Sequence, residues 1–166
     1  MRSRRVLILG QGAEPDVEPI DRAVEAADAD AEIRRAGTLA EAVRLASEGA
    51  WHADLVVVCQ LWSREYSERE VRALLRALPL ARIVCCYGPW CESDGRSGSP
   101  WPLAARVPVR EAAARIRREI DVLDGRCPPL PLTASRDEIF AFDQHTPAGT
   151  VHAAEPHTGK RCPTLD

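Results

Sequence analysis

The chain has 166 residues, enough for one domain with a well-buried core and some additional chain. Its 22 basic and 25 acidic side chains give a formal net charge of −3, which argues against the clustered positive charge that nucleic acid or an anionic membrane surface requires. No apolar run approaches the roughly 18 residues needed to span a bilayer, and the apolar run after the basic N-terminus is too short for a signal peptide. We therefore expect a cytoplasmic protein that binds neither nucleic acid nor membrane.

Two strand–helix units open the chain. Residues 5–10 are almost wholly apolar and predict a buried strand, and Pro19 suits the first turn of the helix that follows. Residues 31–36 predict a more polar strand at the edge of the sheet. The capping-box pair Thr38 and Glu41 then predicts the start of a second helix.

The next strand is the best specified in the chain. Residues 53–60 read Ala-Asp-Leu-Val-Val-Val-Cys-Gln, and such continuous apolar runs are typical of parallel strands that are buried on both faces. Ligand chemistry collects at the carboxyl ends of these strands, so Cys59 and Gln60 lie where a functional site is expected. Ser67 and Glu70 form a second capping box and predict the next helix.

The later elements complete an alternating pattern. Residues 81–87 predict a fourth strand, residues 104–108 a short fifth strand, and a closing helix ends at Gly125. Alternating strands and helices with short connections require right-handed crossovers, which predicts an α/β domain over residues 1–125 with a five-stranded parallel sheet. Residues 126–143 are a Pro-rich extension in which residues 135–143 are expected to add a short helix or a docking segment, and residues 144–166 are predicted to be disordered.

The order of elements and the form of the central strand resemble the receiver domain of bacterial response regulators, over about residues 5–123. That resemblance implies a flavodoxin-like three-layer sandwich with strand order 2-1-3-4-5, in which a loop over residues 88–102 replaces the usual fourth helix. In that family a strand of the form Asp-Leu-Val-x-x-Asp ends on the aspartate that accepts a phosphoryl group. Here Asp54, followed by Leu-Val, puts Cys59 at the acceptor position.

The remaining receiver positions are substituted as well. The family's magnesium-binding acidic pair falls on Gly10 and Gln11. Its hydroxyl-bearing residue falls on Cys86 or Tyr87. Its lysine falls on Val107, and Arg106 is the nearest cation. Phosphoryl transfer to aspartate needs a carboxylate nucleophile, a metal held by oxygen ligands and a cation on the developing anion. The resemblance therefore implies a degenerate receiver: a non-catalytic signalling module that accepts no phosphate, uses no cofactor or metal, and works through a protein partner.

Other interpretations of the same residues point to a redox sensor or to a small-molecule or nucleotide-binding protein. Residues 10–12, Gly-Gln-Gly, begin a dinucleotide-binding pattern, but Pro15 stands where its third glycine should be. Cys59 lies on a strand next to Cys85 and Cys86, which would suit a thiol sensor, although no lysine or histidine is placed to lower a thiol pKa. The cysteines and histidines also lack the paired spacing of a zinc site.

The loop at residues 88–102 is the expected partner surface, through Trp90, Arg96 and Trp101. Tryptophan carries a large apolar area with one hydrogen-bond donor, so it can anchor a partner. It can equally pin a long loop to its own domain, and the sequence leaves both alternatives open.

Overall fold

A computed structural model of the chain describes residues 3–10, 18–47, 51–92, 94 and 98–144. All five strands are parallel and their order is 2-1-3-4-5, which confirms the predicted flavodoxin-like α/β fold. The strands are β1 (Arg5–Leu9), β2 (Glu32–Ala36), β3 (Leu55–Gln60), β4 (Arg82–Tyr87) and β5 (Arg106–Pro108). The α-helices are α1 (Glu18–Ala27), α2 (Leu39–Ser47), α3 (Glu68–Ala77), α4 (Ala112–Leu123) and α5 (Arg136–Gln144). None of these helices is long and apolar enough to cross a membrane.

Strand β3 lies at the centre of the sheet, between β1 and β4, and all six of its residues are buried. Val56 and Val58 pack into the layer formed by α2 and α3. Val57 and Cys59 pack into the opposite layer, formed by α1 and α4. This burial on both faces explains why the strand has no polar alternation. By contrast β2 is an edge strand with three of five residues exposed, as its polar sequence predicts.

The capping box predicted for α3 is present, whereas the one predicted for α2 is only half formed. At α3 the Ser67 hydroxyl accepts from the backbone N–H of Glu70, and the Glu70 carboxylate accepts from the backbone N–H of Ser67 in return. The Ser67 hydroxyl also donates to the Glu70 carboxylate at 2.6 Å, and this bond together with the one from the Ser67 N–H lowers the pKa of Glu70. At α2 the Glu41 N–H donates to the Thr38 hydroxyl at 3.2 Å, but the Glu41 carboxylate accepts from the N–H of Gly37, one residue earlier than the pattern predicts.

The connection between β4 and β5 is only partly described. It contains single turns of 3-10 helix at Pro89–Cys91 and Leu103–Ala105. Strand β5 is therefore shorter than the predicted residues 104–108, because the second turn takes up two of them when the Ala105 N–H bonds the carbonyl of Pro102 at 3.0 Å. Asp94 is helical, while residues 93 and 95–97 lie outside the described part of the chain. Replacement of the fourth helix by a loop stays a prediction.

After α4 the chain turns back across the domain. Gly125, with φ of 72°, ends α4 in a Schellman arrangement, in which the N–H groups of Gly125 and Arg126 bond the carbonyls of Val122 and Asp121. Leu130 and Phe142 of the extension are buried in a small third cluster. Helix α5 therefore packs on the domain through this cluster. Disorder was predicted for residues 144–166: Gln144 is instead the last residue of α5, and residues 145–166 lie outside the described residues.

Gly10 follows β1 directly and lies against Cys59 of β3. Its φ of 148° is a backbone conformation that residues with side chains rarely adopt. A Cβ atom added to Gly10 would lie 2.8 Å from the Cβ of Cys59. The carboxyl ends of the two central strands therefore fit together only because position 10 has no side chain.

This contact predicts a large effect of Gly10→Ala. We expect the free energy of unfolding to fall by about 2–3 kcal/mol, because a strained backbone and a side-chain collision add. Gly125→Ala is the matched control: its φ is also positive but its Cβ would meet nothing within 4 Å, so a loss of about 1 kcal/mol is expected. Urea unfolding followed by circular dichroism measures both, and equal losses would contradict the contact.

Candidate functional site

The structure brings together four of the residues that the receiver resemblance singles out. Cys59 of β3 is the register partner of Cys86 of β4, and Cys86 is the register partner of Val107 of β5. Gly10 reaches Cys59 from β1. Cys59, Cys86 and Val107 are all buried against α1 and α4, so these positions form a packed layer. Gln11 lies outside the described residues.

The thiols near the carboxyl ends of β3 and β4 are poor nucleophiles. Cys59 is 1% exposed, and burial raises its pKa to about 12, with the carboxylates of Asp21 and Glu65 acting in the same direction. Burial also raises the pKa of Cys85 and of Cys86 well above the ordinary value, outweighing the arginines near them. A reactive cysteine needs the opposite environment, accessible and electropositive. The described cysteines are all free thiols.

The other side of the edge is organised around Gln60, which is fully buried. Its side-chain N–H₂ group donates to the carbonyl of Trp62 at 3.1 Å and to the carboxylate of Asp94 at 3.4 Å. Its amide oxygen accepts from the thiol of Cys85 at 3.6 Å. The Ser63 hydroxyl binds the second oxygen of Asp94 at 2.5 Å. The Gln60 amide therefore links the segments that follow β3 and β4 through hydrogen bonds. A buried polar group whose partners are all internal holds such segments in one arrangement.

The turn after β3 is held by one carboxylate. Glu65 accepts from the backbone N–H of Leu61 at 2.7 Å and from that of Trp62 at 3.2 Å. The hydroxyl of buried Tyr66 donates to the carbonyl of Cys59 at 2.9 Å. Burial is the main reason that the pKa of Tyr66 is raised. With its backbone fixed in this way, the turn leaves Trp62 59% exposed.

The turn after β4 is held by Arg106. Its guanidinium donates to the carbonyl of Cys91 at 2.9 Å and lies 4.5 Å over the ring of half-buried Tyr87. The thiol of Cys91 also contacts the carbonyl of Gln60 at 3.6 Å. Arg106, the cation closest to the receiver's lysine position, is thus buried in a structural role. The turn it supports leaves Trp90 72% exposed.

Trp101 was predicted to belong to the partner surface, and its burial shows that this is wrong. It is 2% exposed and packs edge-on against Tyr66, with ring centroids 5.8 Å apart and an interplanar angle of 84°. It therefore pins its loop to the α2 and α3 side of the core and is not available to a partner. Arg96 lies outside the described residues. Trp62, which no sequence pattern marks as a binding residue, is instead the second exposed tryptophan at this edge, beside Trp90.

A shallow cleft adjoins this edge. Its volume is about 430 Å³, and the residues that line it include Tyr87, Pro89 and Pro108 on the sheet side and Glu92 and Arg110 at its rim. Glu92 and Arg110 are paired with each other at 3.0 Å. Within the described residues, no group of three or more His, Cys, Asp or Glu side chains is placed to hold a metal ion. The cleft lies beside Trp90 in the chain, because Pro89, the residue before Trp90, lines it.

No protein-family model, curated protein or solved structure matches this chain. The doubly wound α/β fold supports many unrelated activities, so its topology assigns no function. Function therefore has to be inferred from the geometry of the carboxyl edge, where buried thiols and a fully bonded amide lie beneath two exposed indole rings.

Proposed function

We propose that this chain is a non-catalytic protein-interaction module, built like a response-regulator receiver but unable to accept a phosphoryl group, and acting in the cytoplasm. The observation that carries the proposal is the packing of position 59. Cys59 is 1% exposed and in contact with Gly10, where a receiver would need an open pocket with a carboxylate nucleophile. The fold is retained while the residues at the end of β3 serve packing.

The substituted positions support this proposal chemically. Gly10, Cys86 and Val107 provide no carboxylate for a hard metal ion and no hydroxyl or ammonium group for a phosphoryl oxygen. The nearest guanidinium, that of Arg106, is held against Tyr87 and the carbonyl of Cys91. Within the part of the chain that the structure describes, Asp21 and Glu65 are the carboxylates that act on Cys59, and Glu65 already accepts two backbone N–H groups.

The exposed indoles support a binding role. Trp62 and Trp90 follow β3 and β4 by two and three residues, and these strands are hydrogen-bonded up to the pair Gln60 and Tyr87. Both side chains are therefore presented at the same edge by turns whose backbones are fixed. Rigid, exposed tryptophans are typical anchors of protein interfaces. We take Trp62 and Trp90, together called the tryptophan edge, as the partner-binding surface.

The first test is chemical. Incubation with acetyl phosphate and Mg²⁺, or with beryllofluoride and Mg²⁺, is expected to leave the intact mass and the tryptophan fluorescence unchanged, because position 59 offers no carboxylate and no access. Cys59→Ala is the control and should behave identically. A phosphoryl adduct on the native chain, or Mg²⁺-dependent quenching that Cys59→Ala lacks, would contradict the proposal.

The second test concerns the tryptophan edge. A partner captured by the immobilised native chain should be retained at least about tenfold less well by the double variant Trp62→Ser/Trp90→Ser, since interface tryptophans commonly contribute 2 kcal/mol or more. Leu80→Ser is the control, because Leu80 is 93% exposed but lies before β4, at the opposite end of the sheet. Equal retention by the double variant, or an equal loss with Leu80→Ser, would place the partner elsewhere.

A further inference from the structure

Helix α5 is attached to the domain through few residues. It begins with a capping box, in which the Ser135 hydroxyl accepts from the Glu138 N–H and the Glu138 carboxylate accepts from the Ser135 N–H at 2.7 Å. It is nine residues long, and an isolated helix of that length is marginal in water. Phe142 is its one buried residue, whereas Phe140 on the same helix is 68% exposed. The helix therefore depends on what Phe142 and its neighbour contact.

Those contacts centre on Arg115 of α4. Its guanidinium binds the Asp143 carboxylate with two parallel hydrogen bonds of 2.7 and 2.8 Å and donates a third, of 2.7 Å, to the carbonyl of Ala104. The Arg115 side chain is 1% exposed, while that of Asp143 is 30% exposed. Bidentate pairing of this kind recognises a carboxylate by geometry as well as by charge.

A second arginine completes the surface. Arg118 donates to the backbone carbonyl of Asp143 at 3.1 Å, and the guanidinium groups of Arg115 and Arg118 lie 5.3 and 5.6 Å from the ring of Phe142. One terminal nitrogen of Arg118 is buried and has no hydrogen-bond partner among the described residues. We call the surface that receives Phe142 and Asp143 the α5 dock; it consists of Ala104, Arg115, Arg118, Cys127 and Leu130.

We propose that the α5 dock is a binding site for a helical peptide of a partner protein, with an aromatic residue followed directly by a carboxylate, and that Phe142 and Asp143 of this chain occupy it when that partner is absent. Two arginines beside a small apolar pocket complement this pair of side chains in both charge and shape. The dock belongs to α4, the 103–105 turn and the extension, so it does not depend on the tryptophan edge.

A second copy of the chain is a poor occupant. Leu130 is buried, and its carbonyl accepts from the Arg82 guanidinium at 3.0 Å, which holds the extension to its own domain up to that point. Five residues, 131–135, then separate this anchor from α5. Fully extended they span about 17 Å, so exchange of α5 between copies would require two docks almost in contact. A separate partner peptide has no such tether.

The test uses a fluorescein-labelled peptide of residues 133–144 as the partner mimic and the full chain as the receptor. Phe142→Ala/Asp143→Asn weakens the internal occupant without altering the dock. This variant should bind the peptide at least about tenfold more tightly than the native chain, whose dock is mostly occupied. Phe140→Ala, a matched change at the exposed phenylalanine of the same helix, should bind no better than the native chain.

Receptor-side variants locate the binding. Arg115→Gln added to the weakened variant should abolish binding of the peptide, whereas Arg110→Gln, at an arginine that is 68% exposed and outside the dock, should leave it intact. Equal affinity of the native and weakened chains, or absence of binding to the weakened chain, would overturn the proposal. Unfolding of the weakened chain, seen by circular dichroism, would also overturn it, because α5 would then be part of the folding unit. Concentration-dependent dimerisation without peptide binding would overturn it as well, because α5 would then be the ligand of a second copy.

Discussion

The structure depends on β3 being buried on both faces and paired on both edges. Its apolar side chains join the two hydrophobic layers of the domain, so a change in its position would disturb both. At its carboxyl end the same burial continues to Cys59 and to Gln60. In a doubly wound fold this is where an open site normally lies. Here the close approach of Gly10 extends the core to the end of the strand.

This closed end has a consequence for the surface above it. Because Gln60, Glu65 and Arg106 find their partners inside the domain, the turns that follow β3 and β4 have fixed backbones. Polar groups that a catalytic edge would use on a substrate instead position Trp62 and Trp90. A rigid edge with exposed indoles suits recognition of another protein better than chemistry on a small molecule. The α5 dock adds a second polar and apolar surface, at present occupied by the chain itself.

The sheet could be predicted from the sequence because its information is local: continuous apolar runs, a polar edge strand and capping residues each specify their own element. The place of Cys59 near the carboxyl end of β3 could be predicted in the same way, because the apolar run that contains it is continuous. The fate of Trp101 could not be predicted, because a tryptophan in a loop looks the same whether it is exposed or stacked on Tyr66. The ion pair between Arg115 and Asp143 joins two helices, and no local sequence pattern predicts a contact between residues so far apart in the chain.

The central claim, that position 59 is a packing position, is tested most directly by comparing Cys59→Asp with its neutral isostere Cys59→Asn. Burial and the nearby Asp21 and Glu65, which raise the pKa of the native thiol, would also raise the pKa of a carboxyl group there. Above about pH 4, the pKa of an aspartate in the unfolded chain, the charged carboxylate opposes folding. The free energy of unfolding of Cys59→Asp, relative to that of Cys59→Asn, should therefore fall by up to about 1.4 kcal/mol per pH unit from about pH 4 towards pH 7. Urea unfolding across this range measures the difference. A difference that does not change with pH, or one that favours Cys59→Asp at pH 7, would reveal an open pocket suited to a carboxylate and contradict the account.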